Sequence, residues 1–411
     1  MVKRNKTIYI AWLLLFTSVY VWRLRLATQG LQGNLDSASY LRIALFGSGS
    51  VLTLLYFFCS PQSILAFTRG LFALLLCFVA AAFLSIAASP NYLYTLWKAS
   101  EVLIDVMLLA HIIQSESPLK TIDGLTRLMV LLLGLFLLGV WIQAVLIPEE
   151  VIDHAGVIGF QLRSLYPMTD ADGVGNMSCL SAIFCLNQMF ICESSRKRKV
   201  YLIAFLALFI TFFISQARTS MVSFFLASGF IFIAYRKTWL VLAVGFMAFV
   251  VLLSPTIADY AKRYVIRDST PEQMRSLSGR VYAWENAYNA FKHSPVIGYG
   301  FATGTRYAIG SGTGFAHNSF IEVLVNAGLL GFLPFVILFV LVWLTLVRYW
   351  HRVRGTPEHS QYIMMTSLLI PISVSSMTAS SISNHDQIFM LYLLVVAYVQ
   401  ALRSSSSAFE I

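Results

Sequence analysis

Long apolar runs separated by short polar segments dominate this chain. A helix must present about 20 mostly apolar residues to cross the roughly 30 Å hydrocarbon layer of a membrane. Runs of this kind occur near residues 7–23, 40–58, 70–88, 95–113, 127–147, 176–192, 200–216, 219–235, 238–254, 319–347, 362–380 and 388–402. The pattern therefore predicts an all-α polytopic membrane protein with about twelve transmembrane helices.

Composition agrees with this prediction and excludes a soluble domain. Of the 411 residues, 58% are hydrophobic and only 12% are charged, and the mean hydropathy is +0.74. The formal charge of +10 is explained by the lysines and arginines that accumulate in cytoplasmic loops of membrane proteins. We therefore expect a lipid bilayer around the chain and no nucleic-acid partner.

Clusters of lysine and arginine predict the orientation of the helices in the membrane. They occur at residues 3–6, 196–199, 236–237, 348–354 and 403, and all fall on one side of the membrane under the twelve-helix count. The positive-inside rule then predicts that both termini are cytoplasmic. The second span is the weakest of the twelve because Arg42 and the "GSGS" at 47–50 interrupt it.

The loops divide the chain into three predicted regions. Residues 1–254 hold helices one to nine, with short loops and one medium outer loop at 148–175. Residues 255–318 form a large periplasmic loop, and residues 319–411 hold helices ten to twelve and a cytoplasmic tail. The large loop is rich in lysine and arginine, which is either tolerated charge in a long translocated loop or a basic surface that faces an anionic substrate.

The large loop contains a candidate amphipathic helix, "SGRVYAWENAYNAFKHS". Ser278 can cap it. Its large apolar residues recur at three-to-four-residue spacing along one face, at Val281, Trp284, Tyr288 and Phe291. Such a helix lies on the bilayer or on the helix bundle. The strip of glycines at 298, 300, 304, 310, 312 and 314 follows no strand, so it predicts a pliable loop or lid rather than a nucleotide-binding turn.

Three residues of this compartment could carry chemistry. Arg218 lies at the predicted outer apex of a tight helical hairpin, where a guanidinium either anchors the interface or binds a ligand. Arg280 opens the amphipathic helix and, with Arg218, could form a clamp for phosphate, since guanidinium groups bind phosphate through paired hydrogen bonds. His317 begins the next span beside Asn318, which can cap or orient it, and imidazole titrates near neutral pH and can accept a proton from a hydroxyl.

Charged residues inside the fourth span form a second candidate group. Lys98, Glu101 and Asp105 share one helical face, and ionisable groups inside a membrane are often functional. A structural salt bridge between Lys98 and Glu101 is the alternative. Asp386 and His385, in "SNHDQ" between the last two spans, also emerge on the outer side and could join the cluster.

We expect no metal and no cofactor. The outer histidines lack metal-ligand spacing, and the sequence has no paired-aspartate motif of the type that holds divalent cations on nucleotide sugars. If a phosphate group leaves during the reaction, arginines would have to stabilise its charge.

Four segments together resemble the superfamily of O-antigen ligases and O-antigen polymerases, which are bacterial envelope glycosyltransferases. They are "QARTS" around Arg218, "GRVYAWENAYNAF" with Arg280, "SPVIGYGF", and "HNSFIEVLVNAGLLG", which fits the family pattern H-N-x9-G-x-x-G. The resemblance implies a GT-C-like helical enzyme in the bacterial inner membrane with its active site on the periplasmic side.

The resemblance also implies roles for individual residues. Arg218 and Arg280 match arginines that hold the donor diphosphate, and His317 matches the base that acts on the acceptor hydroxyl. Lys98, Asn318 and Asp386 match supporting polar positions. The donor would be a glycan linked to undecaprenyl diphosphate, and transfer would be inverting and independent of metal.

The acceptor separates the possible functions. A ligase transfers the glycan to the lipid A core, and a polymerase of the same superfamily transfers it to another lipid-linked repeat unit. Chain length favours the ligase. Two alternatives from other classes remain open, namely a transporter of polyprenol-linked glycans or anions and a structural envelope protein.

Overall fold

A computed structural model describes residues 2–20, 37–154, 160–243, 280–308 and 316–407. Helices dominate the described residues, as predicted, and the chain is an all-α polytopic membrane protein. The helices are α1 Val2–Ser18, α2 Ser37–Phe58, α3 Pro61–Phe67, α4 Leu71–Leu84, α5 Tyr92–Ile113, α6 Pro118–Leu146, α7 Pro148–Val151, α8 Ala171–Ile191, α9 Ser195–Ser215, α10 Arg218–Ala234, α11 Arg280–His293, α12 Gly304–Ala308, α13 Ser319–Val353, α14 His359–Thr378 and α15 Gln387–Ser407. A short 3₁₀ helix, Ser85–Ala88, extends α4.

Within the described ranges, seven helices are long and apolar enough to cross a membrane. They are Ser39–Phe58, Leu71–Ala88, Pro118–Leu146, Ala171–Ile191, Ser195–Ser215, Ser319–Val353 and Gln387–Ser404. Other predicted spans appear as the shorter apolar helices α1 and α10 and as the more polar helices α5 and α14. Most of the predicted span 238–254 lies outside the described residues, so the count of twelve stays a prediction.

The loop between α6 and α8 contains two short hairpins. The strands β1 Ile152–Asp153 and β2 Gln161–Leu162 pair antiparallel, as do β3 Ser164–Leu165 and β4 Met168–Thr169. Gln143 of α6 holds the second hairpin, because its Oε1 accepts the backbone N–H groups of Leu165 and Tyr166 at 3.1 and 2.9 Å. Its side-chain nitrogen donates to the carbonyl of Tyr166 at 2.7 Å.

The chain separates into two compact units. The first unit comprises Met1–Met129, Gly279–Arg354 and Ser376–Ile411, and the second comprises Val130–Ser278 and Gly355–Ser375. The predicted site residues are divided between them. The first unit holds Lys98, Arg280, His317, Asn318 and Asp386, and the second holds Arg218.

In the first unit, α4 packs along α13 and α15 is largely buried. The ring of Phe78 lies 5.4 Å from that of Phe335 and 5.8 Å from that of Phe301. Arg42, which weakens the prediction for the second span, does not break α2. Its guanidinium contacts Oε1 of the buried Glu101 on α5 at 2.8 Å, and this ion pair offsets the cost of placing a charge in an apolar helix.

The second unit is built around α8, α9 and α10. Phe209 and Phe212 of α9 pack against Phe224 of α10, with ring centroids 5.5 and 5.4 Å apart. At the other end of α10, the hydroxyl of Tyr235 donates to the side-chain oxygen of Asn187 on α8 at 2.7 Å. These contacts fix α9 and α10 as the tight hairpin that the sequence predicts.

Candidate active site

His317 and Asn318 form the amino end of α13. The side-chain oxygen of Asn318 accepts the backbone N–H groups of Phe320 and Ile321 at 3.0 and 3.1 Å, so Asn318 is the predicted cap. His317 has a left-handed backbone with φ of 50°. That conformation is uncommon outside glycine and, at functional sites, is held by surrounding structure.

The start of α13 is fastened to the last turn of α14 and to the segment between α14 and α15. Asn318 donates from its side-chain nitrogen to the carbonyl of Met377 at 3.1 Å. The Ser319 hydroxyl donates to the carbonyl of Ala379 at 3.0 Å and accepts the N–H of Ile382 at 3.1 Å. Because these bonds come from both residues that follow His317, they fix the backbone on which the imidazole is carried.

Glu322 also links the start of α13 to the segment after α14. The sequence did not identify this residue as part of the site. Its carboxylate is almost fully buried and accepts the N–H of Ala316 at 3.2 Å and the hydroxyl of Ser383 at 2.7 Å, and it also accepts the hydroxyl of Ser380. Glu322 therefore joins the residue before His317 to the segment after α14. The sequence feature that could have identified Glu322 is its position as a single acidic residue in the first turn of an apolar helix.

Arg280 begins α11, which packs on the same region through small residues. The alanines at 283, 287 and 290 face Ala316 and Val325. The predicted helix is confirmed. Of its predicted apolar face, Tyr288 is 58% exposed, whereas Val281, Trp284 and Phe291 are partly buried. The closest packing is made by the alanines, because alanine allows a close approach between backbones.

A hydrogen bond ties the Arg280 end of α11 to His317. The indole nitrogen of Trp284 donates to the carbonyl of Ala316 at 2.8 Å, and Ala316 directly precedes His317. Arg280 lies four residues before Trp284 on α11, which is about one helical turn, or roughly 6 Å along the axis. The structure thus brings the chain segments of Arg280 and His317 together, although they are far apart in sequence.

The first half of the glycine strip forms a hydrogen-bonded turn, and the prediction that the strip is a pliable loop or lid stays a prediction. Gly298 and Gly300 have left-handed backbones with φ of 71° and 103°. The N–H groups of Tyr299 and Gly300 donate to the carbonyls of Val325 and Asn326 at 2.9 and 3.1 Å. The glycines at 310, 312 and 314 lie outside the described residues.

This turn fills a break in α13 at Gly328, where φ is 59° and ψ is −164°. Beyond the break, the N–H groups of Leu329 and Leu330 donate to the carbonyls of Pro295 and Val296 at 2.9 and 3.1 Å. A Cβ atom at Gly328 would collide with the backbone of Val296. The segments "SPVIGYGF" and "NAGLLG" therefore belong to one structural element, since each satisfies backbone groups that the other leaves open.

Lys98 lies in a buried ion network on α5. Its Nζ is 2.7 Å from Oε2 of Glu101, which confirms the salt bridge that was the alternative interpretation of this pair. Nζ also lies 5.9 Å from the ring centre of Tyr94, and the guanidinium of Arg306 lies 5.1 Å from the same ring. Arg306, which the sequence did not single out, is also within electrostatic range of Glu322.

Asp105 and His385 form a second buried pair, within electrostatic range of Glu101 and Lys98. Nδ1 of His385 is 2.6 Å from Oδ2 of Asp105, and its Nε2 is 3.3 Å from the hydroxyl of Ser18. All three side chains are almost fully buried. The pair joins α5 to the segment before α15 and is closed off from a large substrate.

Asp386 caps α15, because its Oδ1 accepts the N–H of Phe389 at 2.7 Å. Burial is the largest influence on its carboxyl and raises its pKa to about 8. Glu322 also raises this pKa and Lys98 lowers it, so these three groups lie within electrostatic range of one another. Lys98 and Asp386 therefore share a neighbourhood with the start of α13.

In the second unit, Arg218 is the first residue of α10 and is half-buried. The two-residue turn before it begins with Gln216, whose side-chain nitrogen donates to the carbonyl of Phe160 at 2.8 Å. The cap position is Ala217, whose side chain has no hydrogen-bonding atom. Arg218 thus occupies the hairpin apex that the sequence predicts, at a helix amino end where the macrodipole favours anions.

Comparison with known proteins connects these elements to a family. Residues 203–336 match the family described as O-antigen ligase, and they include Arg218, Arg280 and His317. No curated protein matches the chain. The match supports a ligase-type or polymerase-type function in general, with a lipid-linked glycan and an acceptor. It confirms the resemblance predicted from the sequence and assigns this segment to the O-antigen ligase and polymerase superfamily.

Proposed function

We propose that this protein transfers a glycan from undecaprenyl diphosphate to an acceptor sugar hydroxyl on the outer face of the bacterial inner membrane, as an O-antigen ligase with the lipid A core as acceptor. The observation that carries the proposal is the arrangement around Ala316. The bond from Trp284 to this carbonyl joins the helix of Arg280 to the turn of His317, inside a segment that matches the ligase family.

In the proposed reaction, the acceptor oxygen attacks the anomeric carbon and its proton passes to the imidazole of His317. The bond between the anomeric carbon and the phosphate oxygen breaks, and the electron pair leaves with the lipid diphosphate. Attack from the face opposite the leaving group inverts the anomeric centre. Arg218 and Arg280 stabilise the charge on the diphosphate, a role for which metal is not needed.

Buried polar groups hold the proposed reacting side chains in position. Asn318 and Glu322 fix the turn of His317, and Lys98 and Asp386 set the charge beside it. General-base catalysis contributes roughly 10²- to 10⁴-fold, so a well-fixed imidazole accounts for a substantial part of the rate. Both termini would be cytoplasmic, and the start of α13 would face the periplasm.

The test is transfer by purified protein in nanodiscs with a polyprenyl-diphosphate glycan and core oligosaccharide. His317→Ala and Arg280→Ala should each lower transfer by at least about 100-fold while leaving insertion and thermal stability unchanged. His351→Ala, which removes an exposed histidine at the other end of α13, is the control. Full activity in either site variant would refute the assigned roles.

The second candidate is a polymerase of the same superfamily, because the family match of residues 203–336 supports a ligase-type or a polymerase-type function alike. The same assay separates them by acceptor. Product that contains core oligosaccharide identifies a ligase, and product that grows by repeat units on lipid identifies a polymerase. Counterflow of lipid-linked glycan without any product would instead identify a transporter.

A further inference from the structure

A cleft of about 650 Å³ opens beside α11, in the first unit. One wall is a face of α11 with Asn286, Asn289 and His293 at three-to-four-residue spacing. Successive helical residues are rotated by about 100°, so Arg280 lies on a different face. Along the helix axis, the cleft begins about 9 Å from Arg280 and ends about 20 Å from it.

The lining is uncharged apart from one histidine. Two tyrosines, Tyr299 and Tyr307, also line the cleft, together with Ser89, Pro90 and neighbouring alanines. Among the described residues that line this cleft, none is a carboxylate, lysine or arginine. Amides and hydroxyls supply neutral hydrogen bonds, and tyrosine rings supply apolar faces with a polar edge. This chemistry suits a saccharide and does not suit a diphosphate.

The walls are fixed before any ligand binds. The N–H of Tyr299 donates to the carbonyl of Val325 at 2.9 Å. The hydroxyl of Ser89 lies 2.7 Å from that of Thr95 and 3.0 Å from that of Thr303. The alanine face of α11 packs on the same unit. A preformed cleft binds with little ordering cost.

We propose that this cleft is a distal saccharide subsite, which holds sugar residues that lie away from the bond being formed. The inference rests on the proposed function, since a glycan must reach the region of Arg280 and His317 for the cleft to receive its further residues. Binding at a remote part of a substrate can be used to orient the reacting centre. The protein would therefore prefer glycans of several repeats over a single unit.

The binding test uses full-length protein in nanodiscs. The probe is the organism's own envelope polysaccharide, released from lipid by mild acid and fractionated into single repeat units and longer oligomers. Isothermal titration should show that the oligomers bind about tenfold more tightly than single units. Asn289→Ala combined with His293→Ala should remove that difference. Glu285→Ala, at an exposed position of α11 outside the cleft, should preserve it.

The transfer assay then identifies the source of the saccharide. If the double variant loses its preference for long donors but transfers a single-repeat donor normally, the cleft holds the donor glycan. If the double variant instead loses a preference for long acceptors over short ones, the cleft holds the acceptor. Equal binding of oligomers and single units to the unmodified protein, or an unchanged preference in the double variant, would overturn the subsite. Oligomer preference in a protein that transfers no glycan would leave the subsite standing and refute the proposed function.

Discussion

The amino ends of α10 and α13 share an unusual backbone but differ in how they are capped. Gln216 and His317 are both left-handed, with φ of 53° and 50°, and each directly precedes the cap residue of its helix. At α13 the cap is Asn318, whose side chain accepts two backbone N–H groups. At α10 the cap is Ala217, whose side chain has no atom that can accept a hydrogen bond.

This difference indicates two kinds of task. At α13 the side chain of Asn318 satisfies backbone N–H groups of the first helical turn. The left-handed backbone of His317 is therefore held in position, and so is its imidazole. At α10 the cap leaves the helix amino end suited to an external anion, and Arg218 adds a positive charge there. If His317 is the base and Arg218 binds the diphosphate, as proposed above, their cap residues distinguish the turn that positions a base from the turn that receives a phosphate.

The largest effect should come from Arg218→Lys. Lysine keeps the charge but loses the planar pair of donors. If Arg218 binds the donor diphosphate, transfer measured as kcat/KM should fall about 100-fold, the equivalent of one lost charge-assisted hydrogen bond of about 2 to 3 kcal/mol. Arg236→Lys, at the other end of α10, is the matched control. Equal activity of both variants would mean that α10 has no special anion site.

Glu322→Ala should destabilise the α13 end most strongly. It removes the acceptor for the N–H of Ala316 and the hydroxyls of Ser380 and Ser383. Unsatisfied buried donors cost about 1 to 3 kcal/mol each, so thermal unfolding in detergent should shift clearly downward. Glu322→Gln keeps one acceptor oxygen and should recover part of the loss. No shift in Glu322→Ala would show that the carboxylate does not hold the turn.

Asn318→Ala tests the cap directly. Loss of an asparagine cap costs about 0.5 to 2 kcal/mol, and the left-handed backbone of His317 loses its support. We expect transfer to fall about tenfold, which is the effect of roughly 1.4 kcal/mol. Asn318→Asp retains the capping oxygen and should restore most of the activity. If Asn318→Ala transferred glycan at the wild-type rate, the cap would not be required for the function of His317.

The reciprocal change at α10 is Ala217→Ser, which introduces a capping oxygen. Serine at this position should stabilise the helix by up to about 1 kcal/mol. It would also occupy N–H groups that the donor phosphate is proposed to use, so KM for the donor should rise a few-fold while kcat stays unchanged. A more stable variant with unaltered KM would indicate that only the guanidinium binds the donor.

A pH-dependent effect is expected at Asp386, whose carboxyl lies within electrostatic range of Glu322 on α13. Its pKa of about 8 is far above the usual range of an aspartate near 4. The folded state therefore holds a proton that the unfolded chain releases, and stability should fall as pH rises from about 4 through 8. Asp386→Asn keeps the acceptor for Phe389 and should flatten this slope. An identical pH profile of the melting temperature in the variant would contradict the assignment.

The local features of both helix ends could be predicted from sequence. Hydropathy placed the hairpin apex at Arg218 and the start of a span just after His317, and Asn318 is a residue type that caps helices. The role of Asn318 as a cap is confirmed. The alanine face of α11 could not be predicted, because the larger residues have an equally regular spacing and only the neighbouring helix selects between the faces.

Sequence periodicity and charge by themselves determined the membrane class and the positions of most helices, because the hydrophobic thickness of a bilayer imposes a length and a composition on every span. The family segment was indicated by its motifs and not by periodicity. Tertiary structure alone decided which polar groups meet. Arg42 pairs with Glu101, Glu322 binds two serines about sixty residues away, and the turn at 295–300 closes the break at Gly328. These pairings depend on helices packed side by side, and no local pattern records which partner a buried polar group will find.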